Sequence, residues 1–167
     1  MKKEFIILIV FIIVVGLLLF FLLKNKEEVH DEMKINDIEY FSMNYTKGYM
    51  INSDIRYKVE YDKENNEYYV YVKPYGKEEE IKVISPDGFR DKIKDILIKY
   101  HVEKWNGFKK YAQDVLDGDS FSFYVKMKDG NKIEANGYMM WPDNYRDVVH
   151  ELDNLFMEVY NNKKNDF

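Results

Sequence analysis

The chain has 167 residues, carries a net charge of −5 and contains no cysteine. The missing thiol excludes disulfides, cysteine-based zinc sites, a thiol nucleophile and lipoprotein acylation. The charge is also split: residues 1–26 carry +3, which leaves −8 on the remainder, and an acidic body repels nucleic acid, anionic lipid and wall polymer.

Residues 5–23 contain no charge and one glycine. As a helix this run spans roughly 28 Å, close to the hydrocarbon thickness of a bilayer. Lys2 and Lys3 precede it, which favours an inside amino terminus and an outside domain. The following "LLLFFLLKNKEEVH" offers no small-residue cleavage site, so residues 1–26 read as an uncleaved anchor in the lipid bilayer. Residues 27–37 are charged and read as a stalk.

From Ile38 the pattern becomes that of strands. "IEYFSMNY" is aromatic, and "DIRYKVEY" alternates, with Ile55, Tyr57, Val59 and Tyr61 on one face. "DKENN" is a polar turn, after which "EYYVYVK" and "EEIKVI" give two more strands. Ser85 then suits an N-cap and Pro86 a first helical position, and Phe89, Ile93, Ile96, Leu97 and Tyr100 make one apolar helical stripe. Residues 102–119 are irregular, with room for one short strand. "SFSFYVKMK" alternates Phe121, Phe123, Val125 and Met127, and "DGN" turns it into "KIEANGYMM". Gly137 inside that strand implies a bulge or a close approach by another element. A second helix follows Pro142, striped by Tyr145, Val148, Val149, Leu152, Leu155, Phe156, Val159 and Tyr160.

The two helix starts are nearly the same sentence. "SPDGFRDKIKDIL" from Ser85 is echoed by "WPDNYRDVVHELD" from Trp141. Each is reached through strand, turn and strand, so two ββα-like units are expected. Convergence on good capping chemistry and an ancient duplication both account for it. The repeated Arg90 and Arg146 fall in a first helical turn, where a cation is unfavourable, so ion pairs with Asp87 and Asp91, or Asp143 and Asp147, are expected. The fold class is therefore α+β: a transmembrane helix, then a domain over residues 38–162 with an antiparallel sheet and two amphipathic helices on one face, and a frayed tail at 163–167.

Catalytic and metal-binding patterns are thin. His30, His101 and His150 lie in no recognisable catalytic motif and read as structural or solvent-facing. Asp114, Asp117 and Asp119 cluster near Gly118, but their spacing fails the calcium-loop pattern and suits a turn. No metal and no cofactor is implied. If Val70, Val72, Phe123 and Val125 face the helices, then Tyr69, Tyr71, Tyr124 and Tyr138 share the opposite face. With Trp141 they form the candidate binding set. Cross-strand pairing is the first reading of tyrosine there, and a docking strip is the alternative.

The stretch "VLDGDSFSFYVKMKDGNKIEANGYMMWPDNYRDV" carries Leu116-Asp117-Gly118, Asp129-Gly130, Gly137-Tyr138 and Pro142. In these residues it resembles segments of uncharacterised secreted or membrane-anchored proteins of low-GC Gram-positive bacteria, clostridia above all. The resemblance covers about a third of the domain. It implies an envelope location and brings no activity, cofactor or site residue. The expectation is a non-enzymatic binding module outside the membrane, with an envelope protein or glycan as partner and no nucleic acid. The alternative is an envelope hydrolase using Asp117, Asp119 and Glu134 near a groove walled by Trp105 and Trp141.

Overall fold

Alternation of apolar residues dictates the sheet. β1 (Ile38–Thr46), β2 (Asp54–Asp62), β3 (Glu67–Lys73) and β4 (Ile81–Ile84) follow one another as antiparallel neighbours. After α1 (Phe89–Lys99) and a 3-10 turn at Val102–Trp105 come β5 (Lys109–Tyr111), β6 (Ser120–Met127), β7 (Lys132–Tyr138) and α2 (Tyr145–Asn165). The seven strands form one sheet in the order β4-β3-β2-β1-β6-β7-β5. The computed structural model describes residues 33–48 and 54–165, together with Val15 and Gly16, which are helical.

The proposed span at 5–23 lies outside the described residues apart from that pair, as do residues 27–32 of the stalk and the last two residues of the tail. Among the described residues, no helix is long and apolar enough to cross a membrane. Met1–Met33 and Lys34–Phe167 form separate compact units. In the second unit, Ile35 is buried and the Asn36 amide donates to Asp129 at 2.5 Å, so the chain joins the domain before β1 begins. α2 runs on to Asn165.

The sheet is mixed where an antiparallel one is expected, because β5 runs parallel to β7. That pairing joins segments separated by the whole of β6, and no local pattern in "KKY" announces it. Every residue expected to face the helices does so: Val70, Val72, Phe123 and Val125 are all buried. Phe156 of α2 stands at the centre. It stacks on Phe41 and Tyr57 with centroids 5.7 and 4.6 Å apart and meets the edge of Phe89 from α1 at 5.1 Å. Both helices therefore pack on one face of the sheet. Trp105 is 2% exposed and donates its indole N–H to the Asp143 carbonyl at 2.9 Å, tying the 3-10 turn to the approach of α2.

The helices start three residues later than capping logic expects. Neither Ser85 nor Pro86 is helical; Gly88, at φ 71°, immediately precedes α1. Asn144, at φ 60°, immediately precedes α2. In both copies the aromatic N–H bonds back to the proline carbonyl, Phe89 to Pro86 at 3.1 Å and Tyr145 to Pro142 at 3.3 Å. The repeated sentence thus encodes one turn, whose third residue must be left-handed. Glycine and asparagine are the residues that adopt this conformation at least cost.

Candidate functional site

The face opposite the helices is built from the alternate residues of the same strands. No described helix covers it. Cross-strand register sets Tyr71 between Lys58 of β2 and Lys82 of β4. Tyr69 pairs with Ile84, Tyr124 with Ser42 and Glu134, and Tyr138 with Ser120. All four tyrosines are half-buried. The structure thus brings Tyr69, Tyr71, Tyr124 and Tyr138 onto one face.

Their rings are not bare. The Lys58 ammonium lies 3.7 Å from the Tyr71 ring centre, and that of Lys82 lies 4.0 Å from Tyr69. These are cation–π contacts across neighbouring strands. The Tyr71 hydroxyl also bonds to Glu60, and burial followed by that carboxylate pushes the phenol up. Glu60 is pushed up by its own burial, but Tyr71 and Lys58 more than offset this and hold it below the usual carboxylate range. Tyr124 meets Tyr40 edge-on at 5.8 Å. Tyr138 donates to the Val115 carbonyl at 3.0 Å, so the loop after β5 folds over that end of the face.

Trp141 does not join them. It lies beyond β7 on the helix side, stacked on Tyr145 at 4.8 Å and tilted against Phe121 at 5.6 Å. The Trp-Pro-Asp approach to α2 turns the ring toward the inward face, where Phe121 also points. A small groove of about 200 Å³ lies there, lined by Tyr45, Lys47, Trp141, Tyr145 and Arg146 among others.

The three carboxylates of the hydrolase alternative do not form one set. Asp117 is exposed in the loop, and Asp119 accepts the Gly48 N–H at 3.2 Å. Glu134 sits four residues along β7 from Tyr138, the partner of Ser120. At a strand's rise this separates Glu134 from the Asp119 end by about 13 Å. Glu134 pairs there with Lys109 at 3.5 Å. Trp105 and Trp141 do share a shallow groove of about 290 Å³, but none of the three acids lines it. Among the described residues, no cluster of three or more His, Asp or Glu side chains is placed to hold a metal ion.

The first-turn arginines also differ from expectation. Arg90 donates to the Ile38 carbonyl at 2.9 Å and lies 3.7 Å above the Tyr68 ring, while Asp91 pairs with Lys94 at 3.2 Å. Arg146 is exposed.

Sequence reasoning missed Asp153. It lies on α2 and accepts the Tyr45 hydroxyl at 2.8 Å on each oxygen, with Tyr57 as a second donor. Burial raises its carboxyl above the usual range, against the pull of both hydroxyls, His150 and Lys47. The available signal was an aspartate set between Leu152 and Phe156 on an apolar stripe. No family model matches the chain, and no curated protein resembles it closely enough to count as a relative.

Proposed function

We propose that this protein is a non-enzymatic interaction module, held at a cytoplasmic membrane by residues 5–23, with its α+β domain on the outer side. The open sheet face is the docking surface. The uncharged run, the lysines before it and the resemblance to envelope proteins support the location. The observation that carries the docking surface is the one-sided sheet: both helices cover one face, and the other presents half-buried tyrosines interleaved with lysines.

The same contacts favour a protein over a glycan as partner. A sugar needs a bare ring to stack on, and the Tyr69 and Tyr71 rings already carry lysine ammonium groups. Phenol edges, ammonium groups and carboxylates remain, and these match the polar surface of another protein.

The location is tested by fusing a reporter that is active only outside the cytoplasm after Phe167. An active reporter is expected, and a silent one overturns the orientation. The face is tested by replacing Tyr69, Tyr71 and Tyr124 with threonine. Cooperative unfolding should persist, because threonine suits strands and no core ring is removed. If the triple variant is unfolded, the tyrosines are core and the docking surface does not exist.

A further inference from the structure

The loop joining β5 to β6 carries an ordered, outward-pointing apolar tip. Leu116 is 97% exposed. Tyr111, Val115, Met139 and Met140, all exposed, lie in the two segments that meet there. The tip is held in place from beneath. Ala112 N–H donates to the Tyr138 carbonyl and Met139 N–H to the Asp119 carbonyl, each at 2.9 Å, while the Tyr138 hydroxyl holds the Val115 carbonyl. Gly118 lies so close to Tyr138 and Met139 that a Cβ would meet the Tyr138 ring at 2.9 Å. An exposed leucine on a braced loop is a surface made for contact rather than a slack connection. Three aspartates, Asp114, Asp117 and Asp119, lie within three residues of it in the chain, and residues 112–119 contain no cation.

A groove lies at the opposite edge of the sheet, between β4 and the two helices. Its volume is about 670 Å³. Its floor is Val83, Phe89, Leu155 and Val159, and its rim carries Lys92 and Lys163 against one acid, Glu158, with Lys82, which caps Tyr69, at the β4 edge. One edge of this chain therefore carries an apolar tip in an aspartate-rich loop, and the other an apolar groove with lysines at its rim. β4 and β5 are the two outer strands of the sheet, so one molecule cannot engage its own groove.

We infer that the groove receives the Leu116 loop of a second copy of this chain. Leucine enters the apolar floor, and the aspartates meet the lysine rim. The contact is head-to-tail, so a dimer leaves one tip and one groove unused, and association continues until a ring closes or a chain grows. The groove meets the tyrosine face at its β4 edge, where Tyr69, Lys82 and Ile84 belong to both, but the inference rests on the apolar floor and the Leu116 loop and not on the docking reading.

The chain has no cysteine, so any thiol introduced is the only one present. Two full-length variants with different tags, Leu116→Cys and Ile84→Cys, are co-expressed and oxidised in their own membranes. Ile84 lines the groove and is 58% exposed, so neither change touches the core. The expected result is a disulfide-linked species carrying both tags, with little product from either variant alone. Adding Asp117→Lys to the Leu116→Cys chain should lower the yield about tenfold, and Lys92→Glu in the Ile84→Cys chain should restore it. No mixed product, Leu116→Cys linking as readily to itself, or linkage only to other proteins overturns the inference. So does a yield indifferent to the charge reversals.

Discussion

The Tyr45 hydroxyl of β1 lies 2.8 Å from both carboxylate oxygens of Asp153, which projects from α2 some hundred residues later in the chain. Tyr57 of β2 donates to the same carboxylate. This one acid therefore joins the second helix to two central strands through polar contacts inside an aromatic core. Burial holds both phenols above the usual range, so they remain donors throughout the working pH range.

Asp153→Ala leaves two sequestered hydroxyls without their acceptor. The expected loss is about 2–3 kcal/mol of unfolding free energy, read by urea titration. Asp153→Asn keeps one acceptor and should lose less.

Asp153 and Glu151 titrate in opposite senses on the same helix. Burial raises Asp153 in the folded state, so its protonated form favours folding, and that contribution disappears as pH rises from the ordinary carboxyl value through the raised one. Glu151 receives Lys99 at 2.5 Å and Tyr100 at 2.7 Å, and these bonds hold it below the usual range. Its contribution is present above the ordinary value and is lost as pH falls. Between about pH 4 and pH 7 the stability advantage of wild type over Asp153→Asn should shrink, and its advantage over Glu151→Gln should grow. Denaturant midpoints at a series of pH values read both slopes, and the Glu151 effect should be small because the pair is solvent-exposed.

The two repeated arginines should respond unequally. Arg90 combines a hydrogen bond to Ile38 with stacking on Tyr68, a geometry that lysine cannot reproduce. Arg90→Lys is expected to cost about 1 kcal/mol. Arg146→Lys, at an exposed position, should leave the thermal midpoint unchanged.

Gly118 and Leu116 offer a similar contrast within one loop. A Cβ at Gly118 would lie 2.5 Å from the Met139 Cγ and 2.9 Å from the Tyr138 ring. Gly118→Ala should cost about 1–3 kcal/mol through forced displacement of these side chains. Leu116→Ser removes a side chain that touches little, so its stability should stay within about 0.5 kcal/mol of wild type.

Much of the sheet was legible because alternation is a local signal. Phe121, Phe123, Val125 and Met127 alternate in the chain and are all buried on one face. Gly137 was legible as either a bulge or a close approach, and the second holds, with the Phe121 ring and Met140 carbonyl crowding it. The parallel β5 was not legible, since three exposed residues carry no periodicity and their pairing depends on where β7 already lies. The helix starts were displaced because proline and aspartate also suit a turn, and only the left-handed geometry at Gly88 and Asn144 decides between turn and helix. The tyrosine face followed from period two. The exclusion of Trp141 from it did not, because Trp141 lies after the last strand and its direction is set by stacking on Tyr145. The lysine caps on Tyr69 and Tyr71 required the register of three strands, which periodicity within one strand does not contain.

The claim that the open sheet face docks a protein is tested most directly by site-specific photo-cross-linking in cells. A benzophenone amino acid replaces Tyr124 on that face in one full-length variant, and exposed Ile98 on α1 in another. The account predicts a discrete protein adduct from position 124, absent from position 98 and lost when Tyr69 and Tyr71 are threonine. No adduct from position 124, or the same adduct from both positions, would contradict it.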